Sequence, residues 1–306
     1  VTLDFDNQVV VDAYRLGGTP AVRRELEIVR RLSARVVFIE IGGYQCTLVL
    51  GRESALLVDP LDTGRAARVI KIVRETFGLE ISTLVYSHMH WDHISGAAHV
   101  MAESRYGVDV AIHAALSCAE GVASRQTGVV PSVVHADGES FDFEGTTVTL
   151  SVVGGHTPDL TLILFPEEQV AHAVDLIHPG QAEFFDFGRA IDIWSFERAL
   201  DALAAASWRV LCAGHGDIGW PTDVTRAQSY LRDLRAVTAA AVDEAVVVQG
   251  VSADTPNSRA DILRRSIRDG ARTALLARWS VLLPGLEYTL DSHIDRMADE
   301  LLYFGG

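Results

Sequence analysis

In the run Ser87-His88-Met89-His90-Trp91-Asp92-His93, three imidazoles and a carboxylate fall within the six positions 88 to 93. Neutral imidazole and carboxylate oxygen are good ligands for zinc and similar divalent ions. His88 and His90 alternate, so their side chains can point the same way. Asp92 and His93 are adjacent and can serve a second ion beside the first. The run follows ISTLVYS from Ile81, which reads as a buried strand, and precedes a helix expected near Ser95. Open α/β sheets place their sites at the carboxyl ends of strands. Four ligand-type residues at such a point make chance clustering a poor explanation.

Three later segments end in the same manner. VVGGHTPD puts His156 after a strand and behind two glycines. QVAHAVDLI carries Asp175 within or at the end of an apolar strand, where a carboxylate is costly unless paired or metal-bound. VLCAGHGD sets His215 between Gly214 and Gly216, and glycines allow the sharp turns that bring a short side chain to a metal. Each segment alone is weak. Together with the first run they supply seven donors, enough for two ions.

These donors need strands to hold them. VVFIEI from Val36 and CTLVLG from Cys46 flank Gly42-Gly43, which predicts a hairpin. SALLVDP from Ser54 predicts a strand ending at Asp59-Pro60. Residues 64–77 have the spacing of an amphipathic helix, and so do residues 20–33. AIH, FDFEGTTVTLSVVGG, LTLILF, QVAHAVDLI and RVLCAGHG continue the strands to about residue 222. This alternation predicts an α/β layered fold. After Pro221 the pattern is helical over 223–248, 258–279 and 286–303, with Leu231, Leu234, Ala241, Val242 and Ala245 on one face and Leu290, Ile294, Met297 and Leu301 on another. The expected organisation is a catalytic unit over residues 1–222 and a C-terminal helical extension over 223–306 that packs on it, with a homodimer contact as its other use.

The chain has 306 residues and a formal net charge of -15. That balance repels phosphate backbones and anionic lipid, so nucleic acid and membrane surfaces are disfavoured as partners and a small molecule is expected. The three cysteines, Cys46, Cys118 and Cys212, are isolated, which argues against a disulfide framework and suits a reducing, cytoplasmic compartment. No apolar run approaches the ~20 residues needed to cross a bilayer, and no secretory leader is recognised at the start.

The order His88-x-His90-x-Asp92-His93, then His156, Asp175 and His215, resembles the signature of the metallo-β-lactamase superfamily, in its lactonase and glyoxalase II-like branch. The resemblance covers about residues 36–222. It implies a four-layer αβ/βα sandwich with the site at one edge of two facing sheets. It also implies that His88, His90 and His156 hold a first ion, that Asp92, His93 and His215 hold a second, and that Asp175 bridges them. Asp59 matches an early aspartate that orients ligands and does not bind metal. The third motif departs from the usual His-Thr-Pro-Gly, with Asp159 in the glycine's place.

Two divalent ions of this kind, zinc first and manganese, iron or cobalt as substitutes, can share a hydroxide as nucleophile. Asp92 is the expected proton shuttle. Relatives acting on β-lactams generally lack the bridging aspartate, diiron relatives carry Glu at the position of His90, and nuclease relatives need a basic surface. A lactone or hydrophobic ester is therefore the expected substrate, with thioesters or sulfate esters as alternatives. A mononuclear iron dioxygenase acting on sulfur compounds is the contrasting class. Trp91, His178, Phe184 and Phe185, with Phe187 and Trp194 nearby, are the candidate substrate contacts and suggest an apolar wall. His99, His113, His135, His172 and His293 are read as structural.

Overall fold

The structure is a computed structural model in which residues 27–248 and 256–304 are described. A seven-stranded sheet runs in chain order: β1 (Glu27–Arg31), β2 (Val36–Ile41), β3 (Tyr44–Leu50), β4 (Ala55–Val58), β5 (Ile81–Val85), β6 (Ala111–Ala115) and β7 (Val133–His135). β1 to β4 pair antiparallel as hairpins, and β4 to β7 are parallel with crossovers. A five-stranded sheet has the order β12 (Val210–Cys212), β11 (Val170–His172), β10 (Thr161–Phe165), β9 (Thr146–Val152) and β8 (Ser140–Phe143).

The strand sequences explain the layering. All six residues of β2 are buried, as expected of a strand covered on both faces. Phe38, Val49, Leu56, Val58 and Val85 of the first sheet meet Val148, Leu150, Ile163, Phe165 and Val170 of the second in one inter-sheet core. Val37, Ile39, Leu48, Leu57 and Leu84 point the other way, against α1 (Thr63–Ile72), α3 (Ala97–Glu103) and α4 (Leu116–Arg125). The outer face of the second sheet packs on α6 (Ile193–Ala205) and on the helices that follow it. The result is the αβ/βα sandwich expected.

Three long helices close the chain: α7 (Pro221–Val248), α8 (Pro256–Trp279) and α9 (Leu286–Phe304). Their bounds lie close to the helical periods of the sequence. Leu231, Leu234, Ala241 and Ala245 are buried on α7, and Leu290, Ile294 and Met297 on α9. They share one core cluster with Leu160, Leu176, Ile193 and Phe196, so the extension is continuous with the second sheet's outer layer. No described helix is long and apolar enough to cross a membrane.

Some expectations need correction. Residues 27–31 are not helical. They form edge strand β1, where Ile28 is buried and Val29 is exposed, and pairing with β2 outweighs the local 3.6-residue spacing. Residues 20–26 lie outside the described part. The helix of 64–77 is regular to Ile72 and then widens into a π-type turn at Val73–Phe77, ending on left-handed Gly78. The helix expected near Ser95 is α3, from Ala97, and a short helix that was not expected, α2 (Trp91–Ile94), precedes it inside the histidine run itself.

A single carboxylate ties the two sheets at the end of β4 remote from Asp59. Glu144, in the β8–β9 turn, accepts hydrogen bonds from the backbone of Glu53 (3.0 Å) and Ser54 (3.1 Å) and from Ser54 Oγ (2.6 Å). Partial burial opposes its charge, but these bonds hold its carboxyl below the usual range. Glu144→Ala should lower unfolding free energy by ~1–2 kcal/mol in urea titrations, since the site is partly solvated. The difference from wild type should be full above the ordinary Glu pKa and fade as pH falls through the depressed folded value.

Candidate metal centre

Each donor sits where a strand gives way to a turn. His88 and His90 follow β5, and His90 is the extended residue that opens α2. His93 lies on α2 and is fully buried, while the Asp92 side chain beside it stays 26% exposed. α2 is drawn to the β4 turn by the bonds Leu61 N to His93 O (2.7 Å) and Gly96 N to Leu61 O (2.7 Å). Gly96 permits this approach, because a Cβ there would stand 2.7 Å from Pro60 O. Asp175 lies three residues past β11, with φ of 59°, and Asp59 has φ of 57°. Left-handed backbone at residues bearing a Cβ is costly and marks positions that the surrounding structure over-determines.

The seven donors converge. His88, His90, His156 and Asp175 offer ligand atoms within 4.8 Å of one another, and so do Asp92, His93 and His215. Asp175 faces both groups. Its Oδ2 lies 3.3 Å from His156 Nε2, 3.4 Å from His93 Nε2 and 3.8 Å from His88 Nε2, and its Oδ1 lies 3.3 Å from His215 Nε2.

The supporting bonds set the tautomers. His215 Nδ1 is 2.9 Å from the Gly43 carbonyl, which can only accept, so Nδ1 carries the proton and Nε2 is bare. Ser87 Oγ donates to Asp59 Oδ2 (2.6 Å) and therefore accepts from His88 Nδ1 (2.9 Å), which leaves His88 Nε2 bare as well. His90 Nδ1 and His156 Nε2 stand 3.0 Å apart. Either one of these two nitrogens carries the proton and donates to the other, or both are bare and a cation lies between them. His88 Nε2, both nitrogens of His93 and Asp175 Oδ1 are buried without a hydrogen-bond partner. Buried polar atoms of this kind call for an explanation. A divalent cation satisfies His88 Nε2, one nitrogen of His93 and Asp175 Oδ1, and the N/O donor set fits zinc or a similar ion.

Charge balance agrees. Burial pushes the imidazoles of His156 and His215 down to about 4 and holds His88 well below the ordinary value. These three are therefore neutral, the ligand form. Burial opposes a charge on His93 too, but Asp175 outweighs it and lifts that imidazole to about 9. Burial likewise opposes the Asp175 carboxylate, and His93 draws it well below the carboxylate range.

Other residues complete the surroundings. Asp59 is fully buried and accepts from Ser87 N (2.9 Å) as well as Ser87 Oγ, so it acts on His88 through Ser87. His172, read from sequence as merely structural, is its other partner at 3.1 Å and is held in turn by Thr47 (2.9 Å). Burial disfavours charge on His172, but Cys212 and Asp59 prevail and raise it to about 10. Tyr44, which sequence reasoning did not single out, sets its ring 4.5 Å from that of His215. Trp91 (60% exposed) and Phe185 (64%) are open to solvent, and Phe184 lies 5.2 Å ring to ring from His215. His178 is buried. Its Nδ1 is engaged by Glu183, a buried carboxylate that the sequence did not flag, and its Nε2 has no partner. Phe187 does not belong to the wall, because it is buried in the core and stacks on His293 at 4.2 Å. Asp159 is not among the left-handed residues, so the turn after His156 closes without a glycine.

Two facing sheets with a His/Asp centre at one edge define a metallohydrolase type of sandwich. A family model of the metallo-beta-lactamase superfamily matches residues 40–236. The chain belongs to that superfamily, most of whose members are metal-dependent hydrolases. Among solved structures it is similar to a metallo-beta-lactamase from Pontibacter korlensis, with 19% identity, a TM-score of 0.59, and coverage of 67% of this chain and 98% of that one. It is also similar to metallo-beta-lactamase IND-7, with 14% identity, a TM-score of 0.57, and coverage of 66% and 96%. At such identity the likeness speaks for the fold.

His93 supplies a test of the centre. At pH 7.5 its proton is held by Asp175, and an arriving cation must displace it. Titrating metal-free protein with Zn2+ in weak buffer should release about one proton from this residue, whereas His93→Ala should release correspondingly fewer. Equal proton release from both proteins would show that His93 does not meet the metal.

Proposed function

We propose that this protein is a metal-dependent hydrolase of a carbonyl ester, a lactone or an ester with a hydrophobic part, and that it works with two divalent ions, zinc by preference. The lactonase and glyoxalase II-like branch is the part of the superfamily we assign. One observation carries the reading: two separate donor groups, each compact enough for one ion, meet at the Asp175 carboxylate. A single-ion oxygenase would have no use for Asp92, His93 and His215 as a second group.

In this reading His88, His90 and His156 hold one ion, Asp92, His93 and His215 hold the other, and Asp175 spans both. When bound, such a pair supplies a water nucleophile at neutral pH and polarises the scissile carbonyl. The chain's own residues do the rest. Gly43 O and the Ser87–Asp59 pair keep the bare nitrogens of His215 and His88 turned inward. Asp92, the most exposed of the carboxylates, takes the proton released at the nucleophile and delivers it to the leaving oxygen. Trp91, Phe184 and Phe185 bring apolar surface to the mouth, exclude water and receive the acyl or aromatic part of the substrate. His178, fixed by Glu183 and buried beside His215, is assigned as a polar neighbour of the pocket.

Metal analysis of the purified protein should find two zinc-like ions per chain, and Asp175→Ala should lose at least one. One iron per chain would favour the oxygenase instead. A panel of lactones, aryl esters, thioesters and sulfate esters should show turnover of carbonyl substrates that chelator abolishes and Zn2+ restores. Inactivity of the fully loaded protein on every carbonyl substrate would overturn the proposal. Asp92→Asn, compared at equal metal content, should lower kcat by about 100-fold, the scale of a lost general acid–base group. Normal turnover by a fully loaded variant would exclude the shuttle.

A further inference from the structure

We infer that the C-terminal helix α9 sets substrate selection at this centre, through Ser292, His293, Arg296 and Glu300, by holding residues 182–193 as the apolar wall of the pocket. The inference rests on the hydrolase reading above and extends it to a part of the chain beyond residue 236, where the family match ends.

The 182–193 segment touches both halves of the metal centre. Gly188 lies against His156, so close that a Cβ there would stand 3.0 Å from Nδ1. Ile191 N donates to Gly155 O (3.1 Å) in the turn before His156. Phe184 lies edge-on to His215. Outward, the segment shows Phe184, Phe185 and Ile191 to solvent. A wall in this position meets whatever is bound at the ions.

Three bonds inside the segment close its turn, Phe187 N to Phe184 O (3.0 Å), Gly188 N to Phe185 O (3.0 Å) and Ala190 N to Phe187 O (3.2 Å), but its backbone is strained. Asp186, Phe187, Gly188 and Arg189 are left-handed in succession and form the short turn α5 (Asp186–Arg189), with φ of 53°, 50°, 65° and 63°. Three of the four carry a Cβ, for which that region is unfavourable. Further bonds to it come from one face of α9, spaced as helix neighbours are at 292/293, 296 and 300. Ser292 Oγ accepts from Asp186 N (2.9 Å). His293 Nε2 donates to Phe184 O (2.9 Å), its Nδ1 accepts from Tyr230 on α7 (2.8 Å), and its ring stacks on Phe187. Arg296 donates to Ala190 O (2.6 Å) and Ile191 O (2.5 Å). Glu300 Oε1 accepts from Ile193 N (3.0 Å). Just before α9, Pro284 O accepts from Ala182 N (2.9 Å). The segment is thus pinned from end to end, and none of its pins is a metal ligand.

The test compares wild type, Arg296→Ala, Arg296→Lys and Phe185→Ala, each full length and loaded with Zn2+, on 4-nitrophenyl acetate and 4-nitrophenyl octanoate. Arg296→Ala should raise KM for the octanoyl ester about tenfold, the scale of a lost pair of charge-assisted hydrogen bonds, with kcat, metal content and the acetyl ester's KM unchanged. Phe185→Ala should also raise KM for the octanoyl ester, and Arg296→Lys should recover part of the loss, because a lysine reaches one carbonyl but not two. An equal effect on both esters, or none on either, would make α9 a structural prop and overturn the inference. If wild type cleaves neither ester, the hydrolase reading is judged separately on the wider substrate panel. Calorimetric binding of octanoate to the loaded proteins then decides: binding weakened by Arg296→Ala supports the wall, while equal binding, or none to wild type, overturns it.

Discussion

Asp175 carries a carboxylate, under a tenth exposed, whose two oxygens face nitrogens of four histidines at 3.3–3.8 Å. A buried charge must be paired or neutralised. Here the partners are imidazoles, most of them kept neutral by the same burial, so the pairing is completed by one proton on His93 or by cations. Much of the local architecture serves this crowding. The left-handed turns at Asp59 and Asp175 and the glycines on either side of His215 let backbone from separate strands approach within hydrogen-bond distance. At Gly214 a Cβ would lie 2.5 Å from Val174, so the His215 loop has this path only with glycine.

The two-sheet sandwich makes the convergence possible because each sheet contributes part of the centre. The first sheet provides Asp59 and the His88–His93 run, and the second provides His156, Asp175 and His215. Hydrogen bonds cross between them at the rim: Thr161 N to Ser87 O at 2.8 Å and Gln45 N to Gly214 O at 2.9 Å. The fully buried Asp59–His172 pair is a third crossing, from the end of β4 to the end of β11. A buried ion pair contributes little net stability, because desolvation offsets its attraction. Its value here is registry, since Asp59 also fixes Ser87 and, through it, the orientation of His88.

The legible parts of this chain are those in which chemistry is concentrated in sequence. The His88–His93 run, the glycine-flanked His215 and the Gly42-Gly43 hairpin are local patterns, and the fold put each at a strand end. The three C-terminal helices were legible because 3.6-residue periodicity persists over many turns. What escaped depends on contacts made elsewhere in the chain. His172 lies in the same apolar strand segment as Asp175, and a buried histidine there needs a partner as much as a buried aspartate does. That partner, Asp59, is more than a hundred residues away. Glu183 reads as an ordinary loop acid until the fold buries it against His178. Phe184, Phe185 and Phe187 look alike in sequence, yet the left-handed run of 186–189 turns Phe187 into the core and leaves the other two outside. Glu27–Arg31 failed for the opposite reason, because its local spacing fits a helix and only β2 makes it a strand.

This contrast separates reactivity from selectivity. Donors near one another in sequence, or at strand ends of the sandwich, define what the centre can do, and the superfamily match covers them. The segment beside the donors, residues 182–193, contains one short left-handed turn and is pinned by bonds to a helix outside the matched region. Fold alone does not choose a substrate. On the reading proposed above, the sheets hold the metal donors and α9 holds the wall beside them. Substitutions along one helix face can therefore reshape the wall without disturbing a ligand, and the same centre can serve different substrates as its C-terminal extension changes.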